Sequence, residues 1–169
     1  DRYSRLNLSV NKGNSIKEKL IENKFIYQLP VSVRKGKVTL LQIELKGQEY
    51  LRLRGDYKQV PLRYGGLIHQ FWIDRISTQL RDKGFEVNKE HPIGKGKTVD
   101  LFAQKDNRKT IIEVETGKSD YMGNYEKLKG MKDCEIVFVF TGRRQKVEFE
   151  EKCYDSSLIV SHVSKFLFL

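Results

Sequence analysis

Cysteine is nearly absent from this 169-residue chain. Cys134 and Cys153 are the only two. They are too few for a disulfide framework or a four-thiolate zinc site, and they read as reduced thiols of a cytoplasmic protein. Histidine is as scarce. His69, His91 and His162 stand alone, none four residues from another, so the paired-His spacing of zinc hydrolases is missing. Long apolar runs are missing too. The longest cover residues 136–140 and 166–169, far short of the roughly 20 residues a membrane helix needs. No apolar stretch follows the opening Asp1-Arg2-Tyr3-Ser4-Arg5, so the expectation is a chain without a signal peptide or a membrane partner. There is no internal repeat and no low-complexity tract.

What the chain does have is positive charge. It holds 32 Lys and Arg against 22 Asp and Glu, a net +10. The excess is uneven: residues 1–60 carry 13 basic and 6 acidic side chains, and residues 61–169 carry 19 and 16. A basic front and a nearly balanced back point to a polyanion at the front, most simply nucleic acid. The composition, 38% hydrophobic and 32% charged, is that of a folded protein. A join falls at 54–66, where Gly55, Pro61, Gly65 and Gly66 interrupt any apolar periodicity. The expected organisation is a module at 1–54, a linker at 55–65 and a domain at 66–169.

In the front module, Ile16, Leu20 and Ile21 fall at helical spacing and predict a helix over 15–25. Asn14 or Ser15 would cap it, with Glu18 completing a capping box. Residues 25–33 and 37–44 read as strands around the turn Arg34-Lys35-Gly36-Lys37, and residues 45–53 as a short closing helix. This order resembles a winged helix-turn-helix. Residues 3–9 match its positioning helix and turn, 10–25 its recognition helix, and 34–37 its wing tip. The helix that normally precedes the positioning helix is missing, so the expectation is the C-terminal part of a longer protein. The resemblance implies DNA contacts from Lys12, Asn14, Ser15, Lys17 and Lys19 on the helix, and from Arg34, Lys35 and Lys37 on the wing. A solvated charged face would use the same residues.

The back segment reads α-β-β-β-α-β-α-β. Ile68, Phe71, Trp72, Ile76 and Leu80 make the stripe of a helix over 67–84 that stops at Gly84, with Trp72 a core residue. Strands follow at 85–92, 98–104 and 110–115. A helix comes next at 124–131, then a fully apolar strand at 134–140, a helix at 143–154 and a last strand at 158–168. Acidic residues break into these strands. Asp100 sits between Val99 and Leu101. Glu113 and Glu115 share one face of their strand, because side chains alternate. If the second and third strands pair as a hairpin, Asp100 lies across from that face. Three converging carboxylates repel one another unless something neutralises them. A hard divalent cation does so, since Mg²⁺ takes one or two carboxylates and leaves room for a phosphate.

These features resemble the PD-(D/E)XK nuclease superfamily, whose core is α-β-β-β-α-β. Thr98-Val99-Asp100 matches its first acidic motif and Glu113-Val114-Glu115 its second, with 12 residues between Asp100 and Glu113. More narrowly, Gly65-Gly66-Leu67-Ile68-His69, Trp72, Arg75 and the run Glu113–Asp120 look like nuclease-like domains fused behind winged helices in microbial DNA-transfer or mobile-element ATPases. The resemblance implies an α/β fold, a winged-helix-like module followed by a restriction endonuclease-like core with a mixed sheet. It also implies Mg²⁺ or Mn²⁺ on Asp100, Glu113 and the Val114 carbonyl, with Glu115 as a ligand to a second metal or a general base. The partner would be DNA, with a homodimer or a fused or associated ATPase as further partners.

The chain departs from the family at Glu115, where the motif carries Lys. Lys118 is the first candidate to supply that positive charge and Lys97 the second. His69 and Gln70 are candidates to support the site from the first helix. Asp74 is weaker, as are Asn124 and Lys127 on the helix after Asp120. Arg143 and Arg144 could touch a backbone. Gly94-Lys95-Gly96-Lys97-Thr98 lacks the four-residue spacer of a phosphate loop and precedes a strand, which excludes nucleotide binding there. The rival reading is a non-catalytic module that binds DNA or docks on a motor or recombinase, with the missing Lys as its signature.

Overall fold

Local chemistry sets where each element starts and stops. The computed structural model describes residues 3–33, 36–56, 65–117, 119–153, 155 and 157–166, in two units, residues 1–61 and 62–169. The first unit opens with a single 3₁₀ turn, Ser4–Leu6, where the resemblance predicts a positioning helix. Helix α1 spans Val10–Glu22, so it begins earlier than the spacing predicts, and Asn14 and Ser15 lie inside it. Ser9 is the cap, its Oγ accepting the Lys12 N–H at 3.3 Å. The first turn carries no apolar stripe because a tertiary contact holds it. Gly13 is so close to the Tyr3 ring that a Cβ would stand 2.4 Å from its Cδ1. Tyr3 Oη also donates to Asn14 Oδ1 at 2.7 Å.

Strands β1 (Ile26–Val33) and β2 (Gly36–Ile43) form an antiparallel hairpin in register from Ile26↔Ile43 to Val33↔Gly36. The expected wing-tip residues Arg34 and Lys35 lie outside the described residues. Helix α2 (Leu45–Leu53) closes the unit.

The second unit is a five-stranded mixed sheet between helices. Its elements are α3 (Gly66–Asp82), β3 (Glu86–Gly94), β4 (Lys97–Lys105), β5 (Arg108–Glu115), α4 (Tyr121–Leu128), β6 (Glu135–Phe140), α5 (Arg143–Lys152), β7 (Leu158–His162) and α6 (Val163–Phe166). The strand order is β3-β4-β5-β6-β7. The first three strands are antiparallel neighbours, while β6 runs parallel to both β5 and β7. Helices α4 and α5 are the crossovers that parallel pairing requires.

Alternation along β5 assigns its two faces. Ile111 packs with Tyr125, Leu128, Phe138, Phe140 and Phe149 in the core under α4 and α5. Ile112 instead faces Ile76 and Leu80 of α3. Glu113 and Glu115 therefore fall on the α4 face, where the apolar layer ends.

In the second unit, α4, α5 and the last strand depart from the expected bounds. Helix α4 begins at Tyr121 because Asp120 caps it, accepting the Gly123 N–H at 2.9 Å. Helix α5 stops at Lys152. The expected last strand over 158–168 ends at His162 and turns into α6. There His162 Nδ1 accepts the Ser164 N–H at 3.2 Å and Nε2 donates to the Thr141 carbonyl at 3.1 Å. Among the described residues no helix is long and apolar enough to cross a membrane.

Candidate active site

The β4–β5 ladder pairs Lys105 with Arg108 and continues to Leu101↔Ile112, where it stops. The next residues on each strand are Asp100 and Glu113. Past that point Asp100 substitutes for a backbone partner: its Oδ2 accepts the Val114 N–H at 2.8 Å. The same oxygen lies 3.0 Å from His69 Nε2. His69 is buried on the first turn of α3. Gly65 allows this placement, since its φ of +94° suits glycine and a Cβ would stand 2.3 Å from the imidazole Nδ1.

Glu113 and Glu115 are each only 2% exposed. Burial pushes the Glu113 carboxyl up to about 8, and the neighbouring Asp100 charge adds to that, while Lys127 opposes it. Burial also raises Glu115, against hydrogen bonds from Ser119 and Asn124. Lys127 Nζ donates to Glu113 Oε1 at 2.6 Å, to the Thr98 carbonyl at 2.9 Å and to Asn124 Oδ1 at 3.1 Å. Asn124 Nδ2 donates to Glu115 Oε1 at 2.9 Å, and Ser119 Oγ donates to Glu115 Oε2.

The structure thus gathers Asp100, Glu113, Glu115, the Val114 backbone and His69. Lys127 and Asn124, the weaker candidates of the sequence, sit at the centre of the group. Ser119 lies within the run Glu113–Asp120 that carries the narrower resemblance, but the sequence gives it no role of its own. The signal for Asn124 and Lys127 is the Asp120 cap, which fixes the helical phase and puts positions 124 and 127 on one side of α4. Lys118 lies outside the described residues. Lys97 is exposed at the first position of β4 and forms no hydrogen bond to the carboxylates among the described residues. Gln70 is half-buried beside His69 on α3.

On α1, helical spacing places Lys12, Ser15 and Lys19 on one exposed face. Asn14 and Lys17 face elsewhere and are half-buried. Asn14 Oδ1 accepts from Tyr3, and Lys17 Nζ reaches it at 3.5 Å, so Asn14 is engaged within the unit. Lys37 is exposed on β2.

Among the described residues no group of three or more His, Cys, Asp or Glu side chains is placed to hold a metal ion. Two carboxylates are enough for Mg²⁺, which keeps several of its waters. Asp100 and Glu113 each retain one oxygen, Oδ1 and Oε2, that receives no hydrogen bond from a described residue. The Glu113 carboxyl is raised mainly by its burial and secondly by the Asp100 charge, against the single nearby cation of Lys127. That donor set fits a hard divalent cation.

No protein-family model matches the chain, and none of the curated proteins does. Among solved structures it is similar to a protein of unknown function from Silicibacter pomeroyi, at 16% identity and a TM-score of 0.39. The match covers 50% of this chain and 56% of that one, so the chain spans little more than half the length of its neighbour.

Proposed function

We propose that the chain is a metal-dependent DNA nuclease of the PD-(D/E)XK kind, hydrolysing phosphodiester bonds, with the first unit gripping DNA. One observation carries the reading: Asp100 and the buried Glu113 meet where the β4–β5 ladder ends, with Lys127 against Glu113. The element order α3-β3-β4-β5-α4-β6 supports it, since it follows the order the resemblance implies.

Asp100 and Glu113 would hold Mg²⁺ or Mn²⁺, with the Val114 carbonyl as a further ligand. The bound ion would activate a water and offset charge on the phosphate. The residues of the chain do the rest. His69 and the Val114 amide fix the Asp100 carboxylate in one orientation. Lys127 favours the ionised form of Glu113 and keeps a positive charge beside the carboxylates, where a phosphate would sit. Lys12 and Lys19 on α1 and Lys37 on β2 offer cations to the backbone of the same DNA.

The test is cleavage of supercoiled, linear, single-stranded and branched DNA with Mg²⁺ or Mn²⁺, beside the Asp100→Ala variant. Metal-dependent cutting that disappears in Asp100→Ala is the expected result. A wild type that binds DNA but cuts none of these substrates would instead support the non-catalytic module.

A further inference from the structure

Glu115 is as deeply buried as Glu113, yet its surroundings are different. Both of its oxygens already accept hydrogen bonds, from Ser119 Oγ and Asn124 Nδ2. Both oxygens of Glu115 are thus held by neutral donors, whereas Asp100 Oδ1 and Glu113 Oε2 accept from no described residue. Its donors come from the loop before α4 and from α4 itself. The path continues inward: Asn124 Oδ1 accepts from Lys127 Nζ, and Lys127 donates to Glu113. An ammonium has three N–H donors. Those of Lys127 are all used, on β4 (Thr98), β5 (Glu113) and α4 (Asn124). The side chain of Lys127 is 14% exposed and that of Glu113 3%, so water replaces none of these partners cheaply.

We infer that Glu115 is a positioning residue, neither a metal ligand nor a base: through Asn124 it holds Lys127 on Glu113. The inference rests on the nuclease reading for what Glu113 does. It assigns the charge that the motif lacks at position 115 to Lys127, with Glu115 as the anchor that makes the substitution work. An amide can replace such an anchor, because Gln Oε1 still accepts from Asn124 and Gln Nε2 can donate to Ser119 Oγ. A ligand or base cannot be replaced in that way.

The experiment measures two things on each variant: the rate of DNA cutting with Mn²⁺, and Mn²⁺ binding to the DNA-free protein by calorimetry. Glu115→Gln is expected to slow cutting by less than about tenfold, and Glu115→Ala and Asn124→Ala by about 100-fold, the cost of misplacing a group by about 1 Å. All three keep Mn²⁺ binding. Lys127→Met loses at least as much rate but binds Mn²⁺ no less tightly, because a positive charge has left the ligands. Asp100→Ala loses both. Asn124 is only half-buried, so its variant still reports if Glu115→Ala fails to fold.

The inference is overturned if Glu115→Gln loses Mn²⁺ binding as Asp100→Ala does, which makes Glu115 a ligand. It is also overturned if Gln and Ala at 115 are equally slow with Mn²⁺ bound, which makes it a base. A wild type that neither cuts nor binds Mn²⁺ overturns the nuclease reading as well, whereas an active wild type with an inert Glu115→Gln overturns this inference alone.

Discussion

A buried carboxyl that binds its proton up to about pH 8 links protonation and stability at one residue. Unfolded, Glu113 titrates near its ordinary value of 4.5. Between these values the native state holds the proton more tightly than the unfolded chain. The metal-free protein therefore loses stability as pH rises from about 4.5 toward 8. On the proposed function, Mg²⁺ would need the ionised carboxylate, so its binding would release a proton and strengthen as pH rises. Thermal midpoints measured with and without Mg²⁺ at pH 6, 7 and 8.5 should show the largest Mg²⁺ increment at pH 8.5. Glu113→Gln should remove that pH dependence, and an increment equal at all three values would contradict the assignment. A second residue, Phe149, tests the packing. It is fully buried against Phe138 and Phe140, with ring centroids at 4.8 and 5.2 Å. Phe149→Ala should cost about 3–5 kcal/mol in denaturant unfolding of the second unit.

At the scale of elements, α4 carries the site's cation and its holder, so its start matters more than its length. Asp120→Ala removes the cap on Gly123 N–H, which should cost about 0.5–2 kcal/mol. It should also slow DNA cutting, since Asn124 and Lys127 lose their fixed phase; cutting at the wild-type rate would show that the cap is not needed to place them. Asp120 stands in the sequence, yet the helix was expected three residues later, over 124–131. Spacing reads burial, and the first turn of α4 is held by a polar cap. The first turn of α1 was illegible for a related reason: it rests on Tyr3 covering Gly13, a contact no periodicity records. Strands β4, β5 and β6 were legible because alternation and a continuous apolar run report burial directly. That is why Asp100, Glu113 and Glu115 could be singled out. Lys127 was no more than a weaker candidate, because its role depends on a helix crossing to β4 and β5, which spacing within one element cannot encode. The turn from β7 into α6 was missed because His162 makes it with its side chain.

Across the whole molecule, charge is divided between the units. The excess of 13 basic over 6 acidic residues within positions 1–60 lies in the first unit, while the site carboxylates lie in the second. DNA affinity and DNA cutting should then respond to different residues. Each phosphate neutralised by Lys or Arg adds roughly 0.9 to the slope of log affinity against log salt on duplex DNA. Lys12 and Lys19 share an exposed face of α1, and Lys12→Ala and Lys19→Ala should each reduce that slope by about 1. Lys17 is half-buried and reaches Asn14 Oδ1, so Lys17→Ala should change the slope less than either. Asp100→Ala should leave the slope intact while abolishing cutting, because it removes no cation from the first unit. Titrations of fluorescent duplex DNA from 50 to 200 mM salt, a range within which contacts of this kind register, decide the matter. Equal slopes for the wild type, Lys12→Ala and Lys19→Ala would remove α1 from the DNA interface. A slope that falls as far in Lys17→Ala as in Lys12→Ala would mean that the face of α1 turned toward Tyr3 meets the DNA instead.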